Sequence, residues 1–206
     1  MTISATTRGL RPGVCTSSTR PSSPFDGQLI YETDTNRVAV YDTNTWVYKT
    51  PDTTAGSVLQ VVSTTKTDTY TATSSTYVDI TGLSATITPK FSTSKILVMV
   101  SMVATGQSAT TTAHFQLARS GTAIGIGDAG GASQVRGTSY ARDSDRPMSI
   151  SMTFLDSPAT TSSVTYSVQQ RNEGSGTVYV NRSQTDTNFA YYGRSSSTIT
   201  VMEIAQ

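Results

Sequence analysis

Residues 95–103 read KILVMVSMV, and as a strand this run is apolar on both faces. Successive strand side chains point to opposite sides. Ile96, Val98, Val100 and Met102 therefore share one face, while Leu97, Met99 and Val103 share the other. Residues 198–205, TITVMEIA, behave alike: Ile199 and Val201 face one way, Met202 and Ile204 the other. An antiparallel sheet with one solvated side alternates apolar with polar residues. Strands apolar on both sides need two covers, one from the domain's own core and one from elsewhere. The second cover is either a neighbouring copy of the chain or a long loop. The first reading makes Leu97, Met99, Met202 and Ile204 an interface between copies.

Short β-prone runs recur on either side of that stretch. They fall at 58–63, 76–81, 84–88, 95–103, 114–119, 122–126, 148–155, 164–170, 177–182 and 198–204. No segment carries a helical stripe. Regular short strands with turn residues between them predict an all-β chain, an antiparallel sandwich or jelly roll over 58–206. Composition agrees. Roughly a third of the residues are Ser or Thr, well above average usage, and Thr suits a pleated surface. Charged residues make up 14% and hydrophobic residues 35%, and the net charge is +1. Disorder pairs low hydrophobicity with high net charge, which this chain lacks. The same balance excludes the basic footprint of a nucleic-acid binder and leaves little repulsion between copies. No apolar run is long enough for a membrane helix, and the start MTISATTRGLRPGV has no signal-peptide core. A soluble chain with no secretion route is expected. Cys15 is the only cysteine, so no intrachain disulfide forms.

The N-terminal quarter has a different texture. Residues 1–27 hold Pro12, Pro21 and Pro24 among Gly, Ser and Thr. Proline fixes φ and withholds a donor, so this segment is expected as an extended arm rather than a helix or interior strand. Residues 28–50 nearly repeat themselves, YETDT returning as YDTNT, and predict a small β-meander with Leu29, Tyr31, Val38, Val40 and Trp46 as a mini-core. Three strands alone are marginal, so the meander should lean on something larger. Residues 51–57 have linker composition.

Motifs for chemistry are weak. Glu32, Asp34 and Asn36 imitate a calcium loop, but the sixth and twelfth positions hold Arg37 and Thr43 instead of Gly and Glu. GIGDAG at 125–130 matches the dinucleotide pattern literally, yet no helix follows to receive a phosphate. His114, the sole histidine, sits in a strand pattern with no nucleophile elbow near any Ser. Asp143 and Asp145 alternate with Arg142 and Arg146, which suits a self-neutralised loop better than acid–base work. Asn181-Arg182-Ser183 is a glycosylation sequon in form only. No catalytic residue, metal or cofactor is implied. Two loops are candidates for recognition: 135–147, with Tyr140 and Arg142, and 185–197, with Phe189, Tyr191, Tyr192 and Arg194. Tyr and Arg dominate binding hot spots, although Phe189 and Tyr191 would serve equally well as an inward plug.

One resemblance spans nearly the whole chain. GVCTSSTRPSSPFDGQLIYETDTNRVAVYDTNTW, 13–46, resembles the N-terminal module of tailed-bacteriophage virion appendage proteins, in which an Arg-Pro-rich lead enters a G-Q-x-I-Y-E-T-D-T run ending on Trp. YVDITGLSATITPKFSTSKILVMVS, 77–101, and GRSSSTITVMEIA, 193–205, resemble the trimeric C1q/TNF-like jelly rolls of phage fibres and head decorations. The resemblance implies a non-enzymatic homotrimer in the virion, assembled in the bacterial cytoplasm, with its last strand near the three-fold axis. It also implies docking to capsid or tail proteins through residues 1 to about 50, for which Arg11, Pro12, Arg20, Pro21, Tyr31, Tyr41 and Trp46 are the candidates. A short chain favours a head or tail decoration over a main receptor fibre. A tail-tip adhesin for host cell-surface glycan is the alternative.

Overall fold

The computed structural model describes residues 12–49, 55–106, 111–142, 146–174 and 176–206. The chain forms two compact units, Met1–Thr53 and Thr54–Gln206. All regular structure among the described residues is β.

The first unit is a four-stranded sheet of β1 (Gly13–Cys15), β2 (Leu29–Glu32), β3 (Arg37–Asp42) and β4 (Thr45–Tyr48), in that spatial order. Its turns explain the near-repeat. Asp42 pairs Thr45 across a two-residue turn in which Thr43 and Asn44 both have positive φ, 45° and 71°. That combination matches the right-handed twist of a hairpin. Asn36, at φ 54°, closes the preceding loop. The described part of the proline-rich lead, residues 12–27, is extended only at Gly13–Cys15, turns elsewhere, and is not free of the module. Gly13, Val14 and Cys15 pair in parallel with Ile30, Tyr31 and Glu32, on the sheet edge where a proline-flanked strand is tolerated.

Cross-strand partners share a face, which divides this sheet cleanly. One face carries Ile30, Glu32, Ala39, Tyr41, Trp46 and Tyr48; Ile30, Glu32 and Ala39 are fully buried there. The other carries Leu29, Val40 and Val47 in one row and Val14, Tyr31 and Val38 in the next. The expected mini-core is therefore corrected. Trp46 packs edge-on against Tyr41 at 5.2 Å, on the side opposite Leu29, Tyr31, Val38 and Val40.

The second unit contains β5 (Val58–Lys66), β6 (Tyr70–Ala72), β7 (Val78–Ile87), β8 (Lys95–Gly106), β9 (Thr112–Arg119) and β10 (Thr122–Ile124). It continues with β11 (Ser139–Ala141), β12 (Met148–Asp156), β13 (Val164–Glu173), β14 (Val178–Val180) and β15 (Ser197–Ile204). Two antiparallel sheets form a sandwich. One runs β5-β15-β8-β12, with β14 and β6 continuing beside the far end of β8; the other runs β7-β13-β9-β10, with β11 also on β9. The first long strand thus lies beside the last, and the second beside the penultimate. Between the sheets, Ile96, Val98, Val100 and Met102 of β8 meet a core that includes Phe115, Leu117, Tyr166, Val168, Ile199 and Val201.

Two runs expected as separate strands, 76–81 and 84–88, are one strand, β7. Gly82 (φ 82°) lies in a bulge that sets residues 80–83 against Val168 alone. β1, β6 and β11 were not foreseen; each is a three-residue strand with no room for a period.

Buried polar groups tie the sandwich together. Asp156 of β12 accepts from Arg119 of β9 at 2.9 and 3.0 Å and from the Tyr166 hydroxyl of β13 at 2.7 Å, linking the two sheets. Burial and the hydrogen bond to Asp156 push the Tyr166 phenol far above its ordinary 10. Glu203, also buried, accepts from Gln60 at 2.5 Å and from the backbone amides of Lys90 and Phe91 at 2.7 and 3.3 Å. Burial pushes its carboxyl up, but these donors outweigh it and hold it below 4.5. Asn181 is fully buried; its amide donates to the Lys66 and Asp68 carbonyls and accepts from Ser197 at 2.6 Å. The sequon is therefore inaccessible in the folded chain. Tyr166→Phe should cost about 1–2 kcal/mol of unfolding free energy in urea, because Asp156 loses a donor while the ring still packs. An unchanged urea midpoint would contradict this role.

Candidate functional site

The outward face of β5-β15-β8-β12 is the most distinctive surface of the second unit. Its register builds three rows. Val61, Met202, Leu97 and Leu155 form the first, Ser63, Thr200, Met99 and Thr153 the second, and Thr65, Thr198, Ser101 and Ser151 the third. No residue in these rows carries a charge. Val61 and Leu155 are 54% and 48% exposed, and Leu97, Met99 and Met202 are half-buried by one another's length. Ile204, also half-buried, continues the apolar end beside Val58 and Lys95. Hydroxyl pairs link the polar rows, Ser63 to Thr200 at 2.9 Å and Thr65 to Thr198 at 3.2 Å. All four candidate interface residues, Leu97, Met99, Met202 and Ile204, are thus on one surface, opposite the core. Sequence reasoning missed Val61 and Leu155, which join this row only through register.

In the first unit the docking candidates divide. Arg20 is engaged internally: its guanidinium donates to the buried Glu32 at 2.5 Å and to the Tyr48 hydroxyl at 2.9 Å. Arg20, with Tyr48 and Thr35 also donating, holds the Glu32 carboxyl below its ordinary 4.5 against the pull of burial. Asp34 accepts from the Ser17 amide and hydroxyl, folding the lead onto the loop. Pro12 and Pro21 are half-buried in the lead, and Tyr41 and Trp46 are half-buried on the covered face. Tyr31 lies on the open face, where Val14 is 53% and Leu29 42% exposed. Arg11 falls outside the described residues, as do Asp143 and Asp145.

The recognition loops also differ from each other. In 185–197, Phe189 and Tyr191 point outward, 58% and 85% exposed, with rings 5.1 Å apart. Arg194 is held by Asp186 at 2.6 Å, which Arg182 also approaches at 3.3 Å; Tyr192 is half-buried. The 135–147 segment is not all loop, since β11 lies within it. There Tyr140 pairs with His114 of β9, which in turn pairs with Arg171 of β13. Residues 127–137 lie beside this row and border an open cleft of about 640 Å³, with Asp128, Gln134, Tyr140, Arg142 and Glu173 along it. The GIGDAG glycines end β10 and enter this loop. Burial, and then the nearby Arg171 charge, lower the His114 pKa below its ordinary 6.5, so the imidazole is neutral at pH 7. Among the described residues no three His, Cys, Asp or Glu side chains are grouped to hold a metal. Among the described residues no helix is long and apolar enough to cross a membrane.

The Glu32 cluster gives a pH prediction. A carboxyl lowered by folding adds stability that is fully present above its unfolded value and is lost as pH falls through the folded one. Hydrogen exchange in β1 and β2 should therefore be slow at pH 7 and accelerate below about pH 4, beyond the intrinsic rate change. Glu32→Gln should exchange fast at both pH values; protection equal to the parent's at pH 7 would contradict the cluster's role.

No model of a known protein family matches the sequence, and no curated protein matches it.

Proposed function

We propose that this chain is a non-enzymatic structural subunit of a tailed-phage virion, a homotrimeric head or tail appendage. The observation that carries the proposal is the three charge-free rows on the outward face of β5-β15-β8-β12, with Val61, Met202, Leu97 and Leu155 as the apolar one. Interface cores are depleted in charge in this way. Each half-open side chain gains about 1 kcal/mol when covered. Association itself costs roughly 4–15 kcal/mol. One row is too small, so the hydroxyl rows must be buried with it, and closed symmetry supplies each copy with more than one contact. The outward face supports association of copies; the virion setting and the number three come from the resemblance.

The strand order supports the finer fold reading. First beside last and second beside penultimate, across two sheets, is the arrangement of a jelly roll of the C1q/TNF-like kind. In the first unit, the open apolar rows of Leu29, Val40 and Val47 and of Val14, Tyr31 and Val38 are what attaches the subunit to a capsid or tail protein. On this reading, docking passes to the apolar face rather than to Arg20. A host-glycan adhesin is the second reading, and the cleft beside Tyr140 favours it.

Leu97→Asp combined with Met202→Asp should convert the assembled chain to monomers while its circular dichroism stays β. An unchanged assembly mass would overturn the interface. Val40→Asp should leave that mass intact but remove the protein from phage particles assembled with it. Incorporation at the parent level would overturn the docking face.

A further inference from the structure

We propose that the cleft between Tyr140 and residues 127–137 binds a neutral saccharide. This deepens the adhesin reading and does not depend on how the chain assembles. The floor is the cross-strand pair of Tyr140 and His114 on the outward face of the second sheet, with Arg171 next in the row beyond it. Tyr140 is 67% exposed, and its ring leans on the His114 ring at 6.1 Å and 36°. The second ring flanks the tyrosine, which keeps much of its aromatic surface open. That face suits the C–H face of a pyranose, which is apolar while the ring's rim is hydroxylated. Acceptors and donors for such a rim stand nearby in Asp128, Gln134, Glu173 and Thr112. At about 640 Å³ the space fits an oligosaccharide end and lies within the ordinary range of ligand pockets.

The wall is built in advance. The Arg136 Nε donates to the Gly127 carbonyl at 2.8 Å, the Gly127 amide to the Gly137 carbonyl at 3.1 Å, and the Tyr77 hydroxyl to the Arg136 carbonyl at 2.6 Å. Gly137 passes so close to Phe115 and Tyr77 that an added Cβ would lie 2.8 Å from each, so this approach requires glycine. A wall ordered before binding spares the ligand that cost.

Charge selects the ligand class. Arg171 is paired with Glu173 and lies over the Tyr77 ring, Arg136 holds the loop, and Arg142 is not free either. His114 is neutral, and on the cleft's lining Arg136 and Arg142 are matched in number by Asp128 and Glu173. The lining thus carries no net charge to draw in a sulfate or carboxylate.

The test is an oligosaccharide array with two arms, neutral hexose and N-acetylhexosamine chains against sialylated, uronic-acid and sulfated ones, probed with the full chain. At least one neutral member should bind, Tyr140→Ala should weaken it about tenfold or more, and Tyr140→Phe should retain it because the stack survives. Tyr191→Ala, at a still more exposed tyrosine in the other loop, should bind as the parent does. Assembly mass measured on every variant separates a failure of this site from a failure of assembly. Binding confined to the acidic arm, no neutral binding at all, or undiminished binding by a folded Tyr140→Ala would each overturn the proposal.

Discussion

A strand hydrogen-bonded along both edges can be hidden only from above and below, and β8 is such a strand. β15 and β12 occupy its two edges over most of its length. Its inner residues, Ile96, Val98, Val100 and Met102, are closed by the second sheet. Its outer residues, Leu97 and Met99, stay only half-buried among the described residues. The fold of the second unit satisfies the first demand. The second demand is left standing, and on the proposed reading further copies of the chain meet it.

Polar residues decide which sandwich forms. Apolar pairing alone tolerates register slips, whereas a buried carboxylate must find particular donors or remain unpaired at high cost. Asp156 fixes β12 against β9 and β13, and Glu203 fixes the turn before β8 against β15 and β5. Asn181, at φ 61°, joins the end of β14 to Val103 of β8 and to Ser197 of β15. Glu32 does the same work in the first unit by capturing Arg20 from the lead. Each of these groups is a residue that composition alone would place on the surface.

Much of the second unit was legible in its sequence because period and burial coincide there. KILVMVSMV and TITVMEIA announced two faces each, and both strands sit side by side with the expected residues outward. What escaped was non-local. Val61 and Leu155 reach the outer row only through register with Met202 and Leu97, and β1, β6 and β11 owe their existence to partners elsewhere. In the first unit the turns were readable from Asn36, Thr43 and Asn44. The side to which Trp46 turned depended on its pairing with Tyr41, which only the hairpin geometry fixes. Tyr140 was visible as a loop aromatic, but the neighbouring His114 and the wall at 127–137 were brought to it by the sheet.

The central claim is that the outward face of β5-β15-β8-β12 is closed by other copies of this chain. Sedimentation equilibrium of the unmodified protein at micromolar concentration addresses it directly. The account predicts a single species with the mass of three 21.9 kDa chains. A species with the mass of one chain at that concentration would contradict it.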